Sequence, residues 1–255
     1  MNQIAGTVMN PFFYNFWVAL IFISAGAANA AGPPEERPAC LTSPSSLKGQ
    51  ARKEELMVCM ASMSDPKKRL LKPGINFRED AEFLKSQDGL VIREVGTVNG
   101  IPYQIFHIDG SGSFAGQSGQ DLSNKAGLKE SEYWSVSCKR DAMSDKTTCR
   151  LSMGDFYLFV DPIGAYSVSV GTANFPGKPI TVRTGSGEPV TTLRKDNFFD
   201  AATSQRIAKS ILKEESLKTR YMKWPNDRWI DAEYSTHGFP QALEYVVWAT
   251  KQSNK

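Results

Sequence analysis

The sequence predicts a mainly β protein: an antiparallel β-sandwich with two helices, preceded by a mixed α+β N-terminal segment. Three observations carry that expectation. From residue 89 onward, apolar and polar residues alternate with the two-residue period of strands. Turn-forming groups such as Asn99-Gly100 and Pro225-Asn226-Asp227 separate the alternating runs. Beyond that point only two stretches, 201–213 and 240 onward, carry apolar residues at the three- and four-residue spacing of a helix.

Composition narrows the function classes. A chain of 255 residues with 41% hydrophobic and 22% charged residues is ordinary globular material, neither collagenous, coiled-coil nor wholly disordered. Thirty Lys+Arg against twenty-seven Asp+Glu leave a net charge of +3, too balanced to imply a nucleic-acid partner. With 2 histidines and 4 cysteines, most metal and nucleophile chemistries have few candidate residues, and no cofactor is expected.

Residues 1–30 read as a signal peptide. The first charged side chain is Glu35, and an apolar run over 12–23 is interrupted only by Asn15. Ala28-Asn29-Ala30 then offers the small-x-small pattern of a cleavage site, placing the mature start near Ala31. No Lys or Arg precedes the run, and 11–28 is just long enough to span a bilayer, so a retained anchor is the alternative. The expected location is therefore the periplasm, the outer membrane or the exterior. In such an oxidising compartment the four cysteines should form disulfides, and sequence proximity favours Cys40–Cys59 and Cys138–Cys149. No Cys-x-x-Cys occurs, which argues against a zinc ribbon or a thioredoxin-like site.

Residues 31–39 are Pro-rich and charged, a flexible leader. A helix follows over 46–63, with Leu56, Met57 and Met60 on one face; Asp65-Pro66 ends it, and the cluster Lys67-Lys68-Arg69 reads as a solvated charge run. Residues 91–95 and 101–108 form a hairpin about Asn99-Gly100, completing an N-terminal segment over 40–129. Residues 109–125, rich in Gly, Ser, Gln and Asn, read as a long loop or hinge.

The segment 133–250 holds the predicted sandwich. Alternation places Trp134, Val136 and Cys138 on one face of a strand, and Cys149, Leu151 and Met153 on the matching face of the next. Residues 156–160 are apolar on both faces, 166–170 alternate and should be half exposed, and Ile180 and Val182 open a further strand. Asp200 caps a helix whose Ile207, Ala208, Ile211 and Leu212 point inward. Strands over 217–224 and 228–234 follow, and Pro240 opens a final helix burying Leu243, Val246 and Val247.

The run Trp134-Ser-Val136-Ser-Cys138, then Cys149-Arg-Leu151-Ser-Met153, resembles the opening of the invasion associated locus B family of small exported bacterial proteins. In order, Asp161-Pro162-Ile163-Gly164, Val182 before a glycine-rich hairpin, and Gly238-Phe239-Pro240-Gln241-Ala242-Leu243 match further pieces of that pattern. Many members carry a second cysteine pair before the penultimate helix; here that region reads Asp196-Asn197-Phe198-Phe199. The likeness covers about half the chain and implies an exported sandwich linked to host-cell invasion. It brings no catalytic residues.

Two function classes follow from the residues. A non-enzymatic protein would engage a protein or glycan surface through the aromatic and cationic stripe Arg220, Tyr221, Lys223, Trp224, Arg228 and Trp229. Alternation leaves open which of these point outward. A periplasmic hydrolase would instead use His107, near Asp109, or His237, near Asp231 and Glu233, as a base. No Gly-x-Ser-x-Gly elbow accompanies either histidine, and the Gly110-x-Gly112-x-x-Ala115 match lacks the helix that a dinucleotide site requires.

Overall fold

Eight strands of the computed structural model form one antiparallel meander in chain order: β1 (Glu82–Lys85), β2 (Val91–Val98), β3 (Ile101–Phe106), β4 (Ser111–Ala115), β5 (Tyr133–Arg140), β6 (Thr147–Met153), β7 (Phe156–Val160) and β8 (Tyr166–Val170). A second antiparallel sheet has the order β10 (Val190–Thr192), β9 (Ile180–Thr184), β11 (Ser216–Lys223), β12 (Arg228–Ser235). Three helices accompany them among the described residues: α1 (Gly49–Ser64), α2 (Ala201–Ile211) and α3 (Phe239–Ser253). The structure describes residues 44–64, 71, 75–123, 127–194 and 196–255. The expected signal peptide (1–30), the leader (31–39), Cys40 and the Lys67-Lys68-Arg69 cluster lie outside them.

The mainly β, two-sheet architecture agrees with the expectation, and both sheets contribute to one hydrophobic cluster. Asn99 and Gly100 both adopt positive φ (51° and 79°), so the backbone twist of the turn matches the strands and pins Val98 opposite Ile101. Cys138 pairs directly with Cys149 and is bonded to it. As alternation predicts, Trp134, Val136, Cys149, Leu151 and Met153 are all buried on that face. Cys59 is also disulfide-bonded and buried; its partner lies outside the described residues.

Helix α3 lies across β4 to β7 and closes the inner face of the large sheet. Phe239 meets Trp134 edge-on at 5.0 Å, and the Trp134 indole N–H donates to the His237 carbonyl at 2.9 Å. Each such fully buried side chain contributes about 1.5–3 kcal/mol by leaving water. At the far end of α3, Asn254 accepts from the Thr147 N–H at 2.9 Å and donates to the Thr147 carbonyl at 2.8 Å. The exposed edge that β8 would otherwise offer is covered. Phe199 N–H donates to the Val168 carbonyl, and Val168 N–H donates to Ser204 Oγ, each at 2.9 Å. This cover also buries Ser169, so β8 is less exposed than its alternation suggests. Asp200 caps α2 through the Thr203 N–H, as expected.

Three expectations change. Residues 111–115 are not loop but strand β4, which joins β3 to β5. The two expected segments therefore share one continuous sheet, and the described residues from 44 onward form one compact unit. Gly112, one of the small residues that suggest a loop, is there for contact: a Cβ on it would stand 2.9 Å from the Tyr245 ring of α3. Helix α1 turns a different face inward. Met57 and Met60 are exposed, whereas Glu54, Glu55 and Cys59 are buried.

Glu54 accepts from the Gln50 side-chain amide at 3.2 Å and faces Arg93 at 3.6 Å. Glu55 accepts from the Gln87 N–H at 2.8 Å and from Arg52. Burial pushes its carboxyl up, but hydrogen bonds from Ser45, Gln87 and Arg52 outweigh it and hold the group below the usual range.

Candidate functional site

The second sheet carries the predicted stripe, and its register decides which residues face out. Tyr221 pairs with Ile230 and Thr219 with Ala232 on the inner face, where Tyr221 and Thr219 are buried. Tyr221 therefore belongs to the core and not to the expected surface. Burial and the nearby Asp155 push its phenol up to about 12.

The outer face is built in rows across the strands. Arg183, Lys218 and Glu233 form one row; Thr191, Thr181, Arg220 and Asp231 form the next. Arg220 grips both carboxylate oxygens of Asp231, at 2.5 and 3.2 Å, while Lys218 and Glu233 pair at 3.4 Å. Thr181 and Thr191 share a hydroxyl hydrogen bond at 3.0 Å. Pro189 joins Thr181, Arg183, Lys218, Arg220, Asp231 and Glu233 around a groove of about 510 Å³.

The third row is apolar. Met222 pairs with Trp229, and the Asn174–Lys223 bridge sets Phe175 opposite Met222 on the other side. Trp224 continues the same face two residues on, with its ring 5.1 Å from that of Phe175. Met222 is buried although it points outward, because aromatic residues flank it; Trp224 and Trp229 remain 52% and 43% exposed. Lys223 and Arg228, opposite each other at the hairpin end, are exposed.

Of the predicted set, the structure thus brings Arg220, Trp224 and Trp229 onto one face, puts Lys223 and Arg228 at its rim, and removes Tyr221. Sequence reasoning missed Phe175 and Thr181, because their place depends on which strand lies beside β11. Alternation within β11 and β12 already aligned Lys218 with Arg220, and Glu233 with Asp231.

The two histidines are placed far more simply. His107 is buried and its Nε2 lies 3.0 Å from Glu94 Oε2, not beside Asp109, which accepts from the Ser111 N–H instead. Glu94 also accepts from the Phe77 and Arg78 N–H groups at 2.9 Å and from the Tyr103 hydroxyl at 2.8 Å. Burial raises its carboxyl, but His107, Phe77, Tyr103 and Arg78 together bring it below the ordinary value. His237 has its Nε2 buried and unpartnered, while Asp231 and Glu233 are engaged by Arg220 and Lys218. Neither ring accepts from or donates to a serine hydroxyl among the described residues, and no group of three or more His, Cys, Asp or Glu there could hold a metal.

Among the described residues no helix is long and apolar enough to cross a membrane. No family model, curated protein or solved structure matches the chain.

Proposed function

We propose that this chain is an exported, disulfide-stapled, non-enzymatic protein of the bacterial envelope or exterior that engages a partner through the outer face of its second sheet. The single observation that carries the binding role is the exposure of Trp224 and Trp229, 52% and 43%, on one face with Phe175 and Met222. Large aromatic side chains beside Arg220, Lys223 and Arg228 have the composition of binding hot spots. The export half of the reading draws on the apolar run over 12–23 and on Ala28-Asn29-Ala30. The ordered resemblance to the invasion associated locus B family supports the same role at the host or envelope surface.

The test is a pull-down from envelope and host-cell extracts with the mature protein and its Trp224→Ala/Trp229→Ala variant. A partner retained by the first and lost by the second, at unchanged Tm, supports the reading. Equal capture by both proteins sinks it. N-terminal sequencing of the envelope fraction tests export: a start near Ala31 is expected, and an intact Met1 would mean a retained anchor.

A further inference from the structure

We propose that the partner is a neutral oligosaccharide chain, lying along the groove of the second sheet with sugar rings stacked on Trp229 and Trp224. This rests on the binding role proposed above and names the class of ligand.

The argument turns on what the floor of the groove demands. Across the two polar rows run Arg183, Lys218 and Arg220 together with Asp231 and Glu233, and a pair of threonine hydroxyls. A protein partner burying this floor would have to desolvate five charges and find a matching donor or acceptor for each. A polyanion would be drawn to the three cations but would meet Asp231 and Glu233 between its own charges. Sugar hydroxyls avoid both problems, because each one donates and accepts. They can bond an Asp231 oxygen and an Arg220 N–H together, leaving the ion pair in place.

The apolar end fits the same ligand. The faces of pyranose rings present C–H groups, and an exposed indole is a flat surface for them. Trp229 follows Asp231 on the same strand face, so the polar rows and the stacking platform are continuous. From Glu233 to Trp229 the strand advances about 13 Å at roughly 3.3 Å per residue, before Trp224 extends it. That length suits several linked sugars and exceeds a single one.

The experiment is calorimetric titration of the full mature protein with chitohexaose, cellohexaose and maltohexaose, and with a heparin hexasaccharide as the anionic comparison. Binding of at least one neutral hexasaccharide is expected, unchanged between 50 and 300 mM salt. Trp229→Ala should weaken it at least tenfold, and so should Arg220→Ala/Asp231→Ala, a pair chosen so that no lone charge is left. Binding of heparin alone, falling steeply with salt, would overturn the proposal. So would the absence of oligosaccharide binding with a protein partner captured in the pull-down and lost in Trp224→Ala/Trp229→Ala, which would leave the binding role standing. No oligosaccharide and no tryptophan-dependent partner would overturn both.

Discussion

Glu94 Oε2 and His107 Nε2 stand 3.0 Å apart with both side chains sealed from solvent. The carboxylate holds more than the histidine: it collects the Phe77 and Arg78 N–H groups and the Tyr103 hydroxyl, and so ties residues 77–78 to β2 and β3. Burial and the neighbouring Glu94 in turn push the Tyr103 phenol well above its usual value.

Removing this carboxylate should be costly. Glu94→Ala leaves four donors without an acceptor, and a loss of about 3–5 kcal/mol is expected in urea denaturation at pH 7. The pH dependence follows from the depressed folded value. The stabilisation is complete above the unfolded value near 4.5 and is lost as pH falls through the lower folded value. The gap between the native protein and Glu94→Gln should therefore narrow as the pH is taken from 7 to 3. A constant gap would mean that the ionised carboxylate contributes nothing.

Gly112 and Tyr245 form a steric pair. A methyl group on Gly112 would stand 2.9 Å from the Tyr245 ring, so Gly112→Ala should cost about 1–3 kcal/mol. In a Tyr245→Leu background, the same substitution should cost clearly less, and a double-mutant cycle by thermal unfolding reads the coupling. Additive losses would show that the contact is not the cause.

The two cystine positions should differ in weight. Cys138 and Cys149 close a loop of sequence separation 11, for about 3 kcal/mol on the chain-entropy account. Cys149 is fully buried on the same strand face as Leu151, so truncation adds a cavity cost of about 1–2 kcal/mol. Cys138→Ala/Cys149→Ala should lower Tm more than Cys40→Ala/Cys59→Ala, because Cys59 sits on α1, which packs against β2 and not across the sheet. Non-reducing peptide mapping should recover Cys138–Cys149 and Cys40–Cys59, and a Cys59–Cys138 peptide would contradict both.

Asn254→Ala should loosen one corner of the fold. It deletes the reciprocal bonds to Thr147, for about 1–2 kcal/mol. Hydrogen exchange should show the gain first at the Thr147 amide. Unchanged protection there would place the helix end elsewhere in solution.

Much of this was legible in the sequence, and the omissions have physical causes. Period-two runs and the Asn99-Gly100 turn found β2, β3 and β5 to β8, because each half-buried strand writes its own alternation. Strand β4 escaped because Gly112 is small for the sake of Tyr245, some 130 residues away. The buried face of α1 was misread because Glu54 and Glu55 are there, tolerated only through partners at Arg93, Gln87 and Arg52. For the candidate surface, the sequence supplied the residue types. Which way they point came from the register of β11 with β9 and with Asn174.

The chain-order pairing of β1 to β8 sets a schedule for a polypeptide made from its N-terminus. Each strand can join the one before it as soon as it appears, so the large sheet can be assembled early. Helix α3, which covers Phe114, Trp134 and Phe156, follows all twelve strands of the described residues. At about 5–20 residues per second, the wait between β8 and α3 lasts several seconds. A sheet assembled in that interval presents a broad, uncovered aromatic platform, the kind of surface that holdase chaperones grip.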